Sequence, residues 1–159
     1  MTHDIDIRPA LPSSLAQALD DDGSAMRWTR KRWASVTAQL AMGEAFEVRV
    51  GGELAAIGGF IPDHDIDGAP VTQVWMLAGP ALRDRARLRA GLDGMNAVLD
   101  VAGERHGRLI CLVRADLPKA CKLVRLCGFR LPMRGIIARG WLIGRRDPDG
   151  VRLQEELAA

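Results

Sequence analysis

The chain has 159 residues, 48% of them hydrophobic and 26% charged, which suits one compact domain with a core of its own. A formal net charge of +2 is too slight to imply a nucleic-acid partner. No apolar run reaches the length of a membrane span, and Met1-Thr2-His3-Asp4 lacks the basic and apolar regions of a secretory leader, so a soluble, cytoplasmic protein is expected.

From the N-terminus, residues 4–8 alternate, with Ile5 and Ile7 inward against Asp4, Asp6 and Arg8, and predict a short half-buried strand. Pro12-Ser13-Ser14 opens a helix with Leu15, Ala16 and Leu19 on its apolar face, and Asp20-Asp21-Asp22-Gly23 ends it. A second helix is expected from 24 to about 42, with Trp33, Val36 and Leu40 toward the core. Arg27, Arg30, Lys31 and Arg32 make one side of it basic, an ordinary solvated face in preference to a surface that selects an acidic substrate, and Trp28 beside them lines a pocket or the edge of the core. Residues 45–50 and 53–61 read as two strands joined by Gly51-Gly52, a strong two-residue hairpin signal.

The loop that follows begins Asp63-His64-Asp65-Ile66-Asp67-Gly68, like the first half of an EF-hand. Its second half fails, because the bidentate Glu is replaced by Val74 and Pro70 interrupts the loop. An exposed acidic turn is expected there, and no metal site. Residues 71–78 form a buried strand. Residues 84–104 form a helix, since Leu88, Leu92, Met95, Leu99 and Ala102 step by four, three, four and three along one apolar stripe.

The next stretch carries the most information. Leu109, Ile110, Cys111, Leu112 and Val113 are an unbroken apolar run, right for a strand covered on both faces. Leu117, Ala120, Cys121, Val124 and Cys127 recur at helical spacing, with Pro118 in the first turn. Gly128 sits where a helix end favours a left-handed residue, and Phe129 starts the chain back. Cys111, Cys121 and Cys127 all lie inside apolar patterns and read as buried, reduced thiols. Residues 136–143 suggest a last strand, with Arg134, Arg139, Arg145 and Arg146 as its outward side.

The order strand, helix, Gly128-Phe129, strand, preceded by two helices and a hairpin, resembles the acyl-CoA-dependent N-acyltransferases of the GNAT superfamily from about residue 5 to 143. The resemblance implies an α+β domain over 1–144 with a polar tail over 145–159. Its sheet would be mixed and mostly antiparallel, with a splayed parallel central pair and flanking helices.

The resemblance also implies a site. The family binds the CoA pyrophosphate in the turn before the long helix, through an Arg or Gln and two glycines that let backbone N–H groups approach the phosphates. Pro80 and Arg83 match that turn, Ala86 stands for the first glycine, and Leu88 stands for the second. Arg83, Arg85, Ala86 and Arg87 are thus the expected phosphate-side residues. Met76, Leu77 and Ala78 would offer backbone bonds to the pantetheine, with acetyl-CoA as cofactor and an unidentified amine as acceptor.

The acid and base are less well marked. The family's usual Tyr on the last helix falls at Val124, the chain has no Tyr, and Leu117 replaces the usual Asn. Cys121 is then the candidate acid, with Cys127 nearby and small apolar filling the plain reading of both. The central strand carries no carboxylate, and Gln73 can orient but not accept a proton. Glu44, Glu47 and Glu53 lie on or near the hairpin strands, and His64 is the candidate base because an imidazole titrates in the right range.

A narrower likeness joins Val74-Trp75-Met76-Leu77-Ala78-Gly79 to Leu126-Cys127-Gly128-Phe129 and is similar to GNAT-like proteins of phages and prophages, some of them internal virion proteins. Two functions follow as expectations. One is an N-acetyltransferase with a degenerate active site. The other is a catalytically inactive GNAT-fold structural or binding protein of a phage particle, with a virion or protein partner.

Overall fold

Three sequence signals set the frame of the sheet, and the computed structural model realises each. It describes residues 4–20, 34, 37–38, 40–42, 44–65, 67–132 and 140–148, without the side chains of 19 and 20. Gly51 and Gly52 take φ of 58° and 80°, so β2 (Glu44–Val50) turns into β3 (Glu53–His64) within two residues that only glycine occupies without strain. The stepped apolar stripe becomes α2 (Arg85–His106), half-buried at Leu88 and Leu92 and fully buried at Met95 and Leu99. The apolar run after it becomes β5 (Leu109–Arg114), and α3 (Pro118–Leu126) follows. At the end of α3, Gly128 donates to the Arg125 carbonyl at 2.9 Å and Phe129 to the Val124 carbonyl at 3.2 Å. That double closure needs the left-handed φ of 79° at Gly128.

With β1 (Ile5–Pro9), α1 (Pro12–Asp20), β4 (Pro70–Ala78) and β6 (Trp141–Arg146), six strands lie in one sheet in chain order. β1 with β2, β2 with β3 and β5 with β6 are antiparallel. β4 and β5 are parallel neighbours, a pairing that requires a long crossover, here α2. The result is a mixed α/β domain, a sheet with flanking helices, as the sequence predicts.

Packing resolves the fold into two units, with boundaries at Ile61/Pro62, Val74/Trp75 and Met95/Asn96. In the unit holding β1, α1 and the hairpin, Leu15, Ala18, Leu54 and Ile57 form a core cluster, with Leu40, Trp75 and Leu77 against it. On α2, Gly94 lets the helix approach β1 and β2 so closely that a Cβ there would lie 2.7 Å from Val48 and 3.0 Å from Ile5. In the unit holding β5, α3 and β6, Val71, Ile110 and Ile143 cluster. There Gly144 abuts the Cys111 sulfur, 2.7 Å from where its Cβ would stand.

Several expectations need correction. Ile5 and Ile7 are 38% and 43% exposed, because β1 is an edge strand and alternation reports the pleat, not a cover over it. On α1, Ala18 and Ser14 are buried in place of Ala16, which is exposed. The strand expected to stop at 61 runs on to His64, so Asp63 and His64 belong to β3. Arg145 and Arg146 lie within β6, so the boundary expected at 144 falls inside a strand. Of the second helix, residues 34, 37–38 and 40–42 are described and helical. Trp33, Val36 and the basic cluster with Trp28 lie outside the described residues, as do Arg134 and Arg139. Among the described residues, no helix is long and apolar enough to cross a membrane.

Candidate functional site: the start of helix α2

The turn into α2 is built from the end of β4. Gly79 is held by its N–H to the Ala55 carbonyl at 2.7 Å, and its missing side chain is essential, since a Cβ would sit 2.4 Å from the Leu54 carbonyl oxygen. Pro80–Arg83 then form one 3-10 turn, closed by Leu82 N–H to the Gly79 carbonyl and Asp84 N–H to the Ala81 carbonyl, both at 3.3 Å. Pro80 suits that first position because its N–H would have no partner there.

Asp84 caps α2. Its Oδ1 accepts from Ala86 N–H at 2.8 Å, and its carbonyl accepts from Arg87 at 3.1 Å and Leu88 at 2.9 Å. Arg87 pairs with the Glu53 carboxylate and lies 3.6 Å from Asp84 Oδ2. Arg83, Arg85 and Ala86 are exposed, and Leu88 is half-buried on the apolar stripe.

These facts test the expected pyrophosphate cradle. A helix start attracts anions through its unpaired N–H groups and positive pole. Here two of those donors end on Asp84, a carboxylate holds the pole, and alanine and leucine stand where glycine would open the backbone. As it stands, the start of α2 does not fit a pyrophosphate.

The β4 edge is more favourable. Pairing with β5 consists of Thr72↔Leu109, Gln73↔Ile110 and Val74↔Cys111, and it ends there although β4 continues to Ala78. Met76 and Leu77 are half-buried and Ala78 is exposed. Trp75 lies against Gly59, where a Cβ would meet its indole nitrogen at 2.7 Å, and this nitrogen is buried with no hydrogen-bond partner among the described residues.

The other expected residues lie in the second unit. His64 is exposed at the end of β3. Cys121 is buried, and its thiol faces the Arg114 carbonyl at 3.4 Å. Burial pushes the Cys111 thiol up to about 12 and the Cys127 thiol up to about 11, far from a group that ionises near neutrality. All three cysteines are free thiols, and no cluster of His, Cys, Asp and Glu suited to a metal ion occurs among the described residues.

Of the hairpin carboxylates, Glu44 is exposed and Glu53 is taken by Arg87, whereas Glu47 is fully buried. Arg8 Nε and Arg49 Nε reach its Oε1 at 2.5 and 2.8 Å, and Arg49 Nη2 also contacts Ser14 Oγ at 3.3 Å. Burial raises its pKa most, but the neighbouring Ser14 hydroxyl, Arg49 and Arg8 together outweigh burial and bring it from 4.5 to about 2. Such a carboxylate is a poor proton acceptor at neutral pH. A Glu inside an apolar strand, with Arg49 two residues on along the same strand and Arg8 opposite it on β1, is the signal that could have marked it.

No protein-family model and no curated protein matches the chain. Solved structures do match. A GNAT-family acetyltransferase from Streptococcus agalactiae superposes with a TM-score of 0.63 at 13% identity, covering 90% of this chain and 95% of that one. The Bacillus subtilis acetyltransferase in complex with CoA gives 0.57 at 13% identity, covering 91% and 98%. The ribosomal-protein-S18-alanine N-acetyltransferase of Escherichia coli gives 0.55 at 20% identity, covering 91% and 94%. The chain has the fold of the GNAT acetyltransferases.

Proposed function

We propose that this protein is an N-acyltransferase that takes an acyl-CoA thioester, acetyl-CoA in the first instance, as donor and an amine as acceptor. The observation that carries the reading is the early end of the β4–β5 ladder at Val74↔Cys111, in a fold whose Bacillus subtilis neighbour is in complex with CoA. Past that point the backbone groups of Met76 and Ala78, in step with Thr72 and Val74, face the β5 side outside the ladder, and a pantetheine arm carries complementary amides.

The chemistry asked of side chains is modest. The thioester supplies an activated acyl group, and its thiol leaves near neutrality without a strong acid, as the ordinary thiol pKa of about 8.5 implies. Neither Cys111 nor Cys127 is needed for that step. Gln73 is half-buried on β4 and can orient an acceptor amine, which must arrive neutral. His64, exposed at the end of β3, is the proposed base, and the departing thiol needs no acid from the buried Cys121.

The second reading is a non-catalytic GNAT-fold protein that serves a phage particle or another partner. The closed cap at Asp84 and the lack of a Tyr favour it.

A melting experiment separates the two. A ligand that binds only the folded state at a hundred times its dissociation constant adds about 2.7 kcal/mol of stability, a shift of several degrees for a domain of this size. Such a shift with acetyl-CoA supports the enzyme. No shift at millimolar acetyl-CoA or CoA, with the fold verified, leaves the non-catalytic reading.

A further inference from the structure

The start of α2 carries an inference that rests on the N-acyltransferase reading but concerns which part of the donor is recognised. We propose that Asp84 holds, with its own carboxylate, the place at the helix pole where a donor's pyrophosphate would sit. The protein then recognises a pantetheine thioester by its arm and gains little from the diphosphate end.

The donor count supports this. Three N–H groups at the start of α2, those of Arg85, Ala86 and Arg87, lie outside the regular helical ladder. Ala86 is satisfied by Asp84 Oδ1 and Arg87 by the Asp84 carbonyl, so two of the three already end on one residue. The turn before the helix is closed in the same way, with Leu82 and Asp84 N–H groups on the Gly79 and Ala81 carbonyls.

Charge points the same way. Arg87 is shared between Glu53 and Asp84, which spends one of three clustered arginines on two carboxylates. An incoming diphosphate would have to displace Asp84 from Ala86 or lie against its charge. The side chains add a steric barrier, since Ala86 and Leu88 carry the carbon atoms that glycines would omit.

Isothermal titration calorimetry with CoA and with pantetheine, which lacks phosphate, tests the inference on the full chain and on Asp84→Asn. Asparagine keeps the cap and removes the charge, and a melting curve verifies its fold. The wild type should bind the two ligands within about threefold of each other, and Asp84→Asn should tighten CoA about tenfold, the effect of one charge at a few ångströms in an exposed site. Pantetheine affinity should not change, and added salt should weaken CoA binding more in the variant than in the wild type.

A wild type that prefers CoA over pantetheine by about a hundredfold, or an Asp84→Asn variant whose CoA affinity is unaltered, overturns the inference but leaves the acyltransferase reading in place. Failure of both ligands to bind either protein overturns the acyltransferase reading and the inference with it.

Discussion

Arg145 grips Asp65 across 80 positions of sequence, Nε to Oδ2 at 3.2 Å and Nη2 to Oδ1 at 3.0 Å. The Asp65 side chain is only 5% exposed, and Arg108 adds a second cation at 3.7 Å. The acidic stretch that begins like a calcium loop is therefore a turn held by arginines. Its backbone closes on itself, Asp65 N–H to the Ala69 carbonyl and Gly68 N–H to the Asp65 carbonyl, both at 2.8 Å. Asp65→Asn leaves Arg145 facing a neutral amide. Breaking a buried pair costs about 3–5 kcal/mol, and the partial exposure of Arg145 lowers the expected loss to about 2 kcal/mol, read as a lower urea midpoint with an unchanged slope.

Glu47 sets an acid limit on stability. Its pKa is lowered in the fold from 4.5 to about 2, so its contribution is complete above its unfolded value and fades as pH falls from about 4.5 to 2. Chemical denaturation at stepped pH should show stability falling through that window. Glu47→Gln should be less stable at pH 7 and should flatten the dependence. A variant with the wild-type slope between pH 4.5 and 2 would remove Glu47 as the cause.

The thiols should be silent in the native state. Cys111, Cys121 and Cys127 are buried, and burial raises the first and third to about 12 and 11, which starves them of thiolate. A thiol probe at pH 8 should label all three only as fast as the protein opens, and at once in denaturant. Fast native labelling of Cys121 that acetyl-CoA suppresses would instead place it beside a bound donor.

Two glycines of the same unit should respond differently to alanine. At Gly79 the new methyl meets a backbone carbonyl, Leu54 O at 2.4 Å, which cannot move without bending β3. A loss of about 3 kcal/mol is expected. At Gly91 the nearest atom is the tip of the Leu82 side chain at 2.5 Å, which can turn away, and the Ala55 Cβ at 3.3 Å must give only slightly, while alanine favours a helix by about 1 kcal/mol. Gly91→Ala should therefore be near neutral. Thermal melts of both variants check the contrast.

The frame was legible because its signals are local. Gly51-Gly52, the stripe from Leu88 to Ala102 and Gly128-Phe129 each declare a turn, a helix or a helix end within a few residues. What depended on partners far along the chain was not legible. Glu47 stands out only faintly, beside Arg49 in an apolar strand, because its burial and its other partners wait on β1 bringing Arg8 and α1 bringing Ser14. Asp65 needs Arg145, which the sequence placed in a tail. Asp84 is an acid at a helix start, a capping signal that shares its turn with three arginines matching a phosphate-binding loop, and only the Ala86 N–H on its Oδ1 decides between the two.

The boundaries between the two packing units cut through β3, β4 and α2 rather than through loops. Each unit borrows part of a continuous hydrogen-bonded element from the other, so no single cut of the gene releases either one whole. Split at any of those points, the chain should yield halves that stay unstructured apart and regain the fold only when mixed.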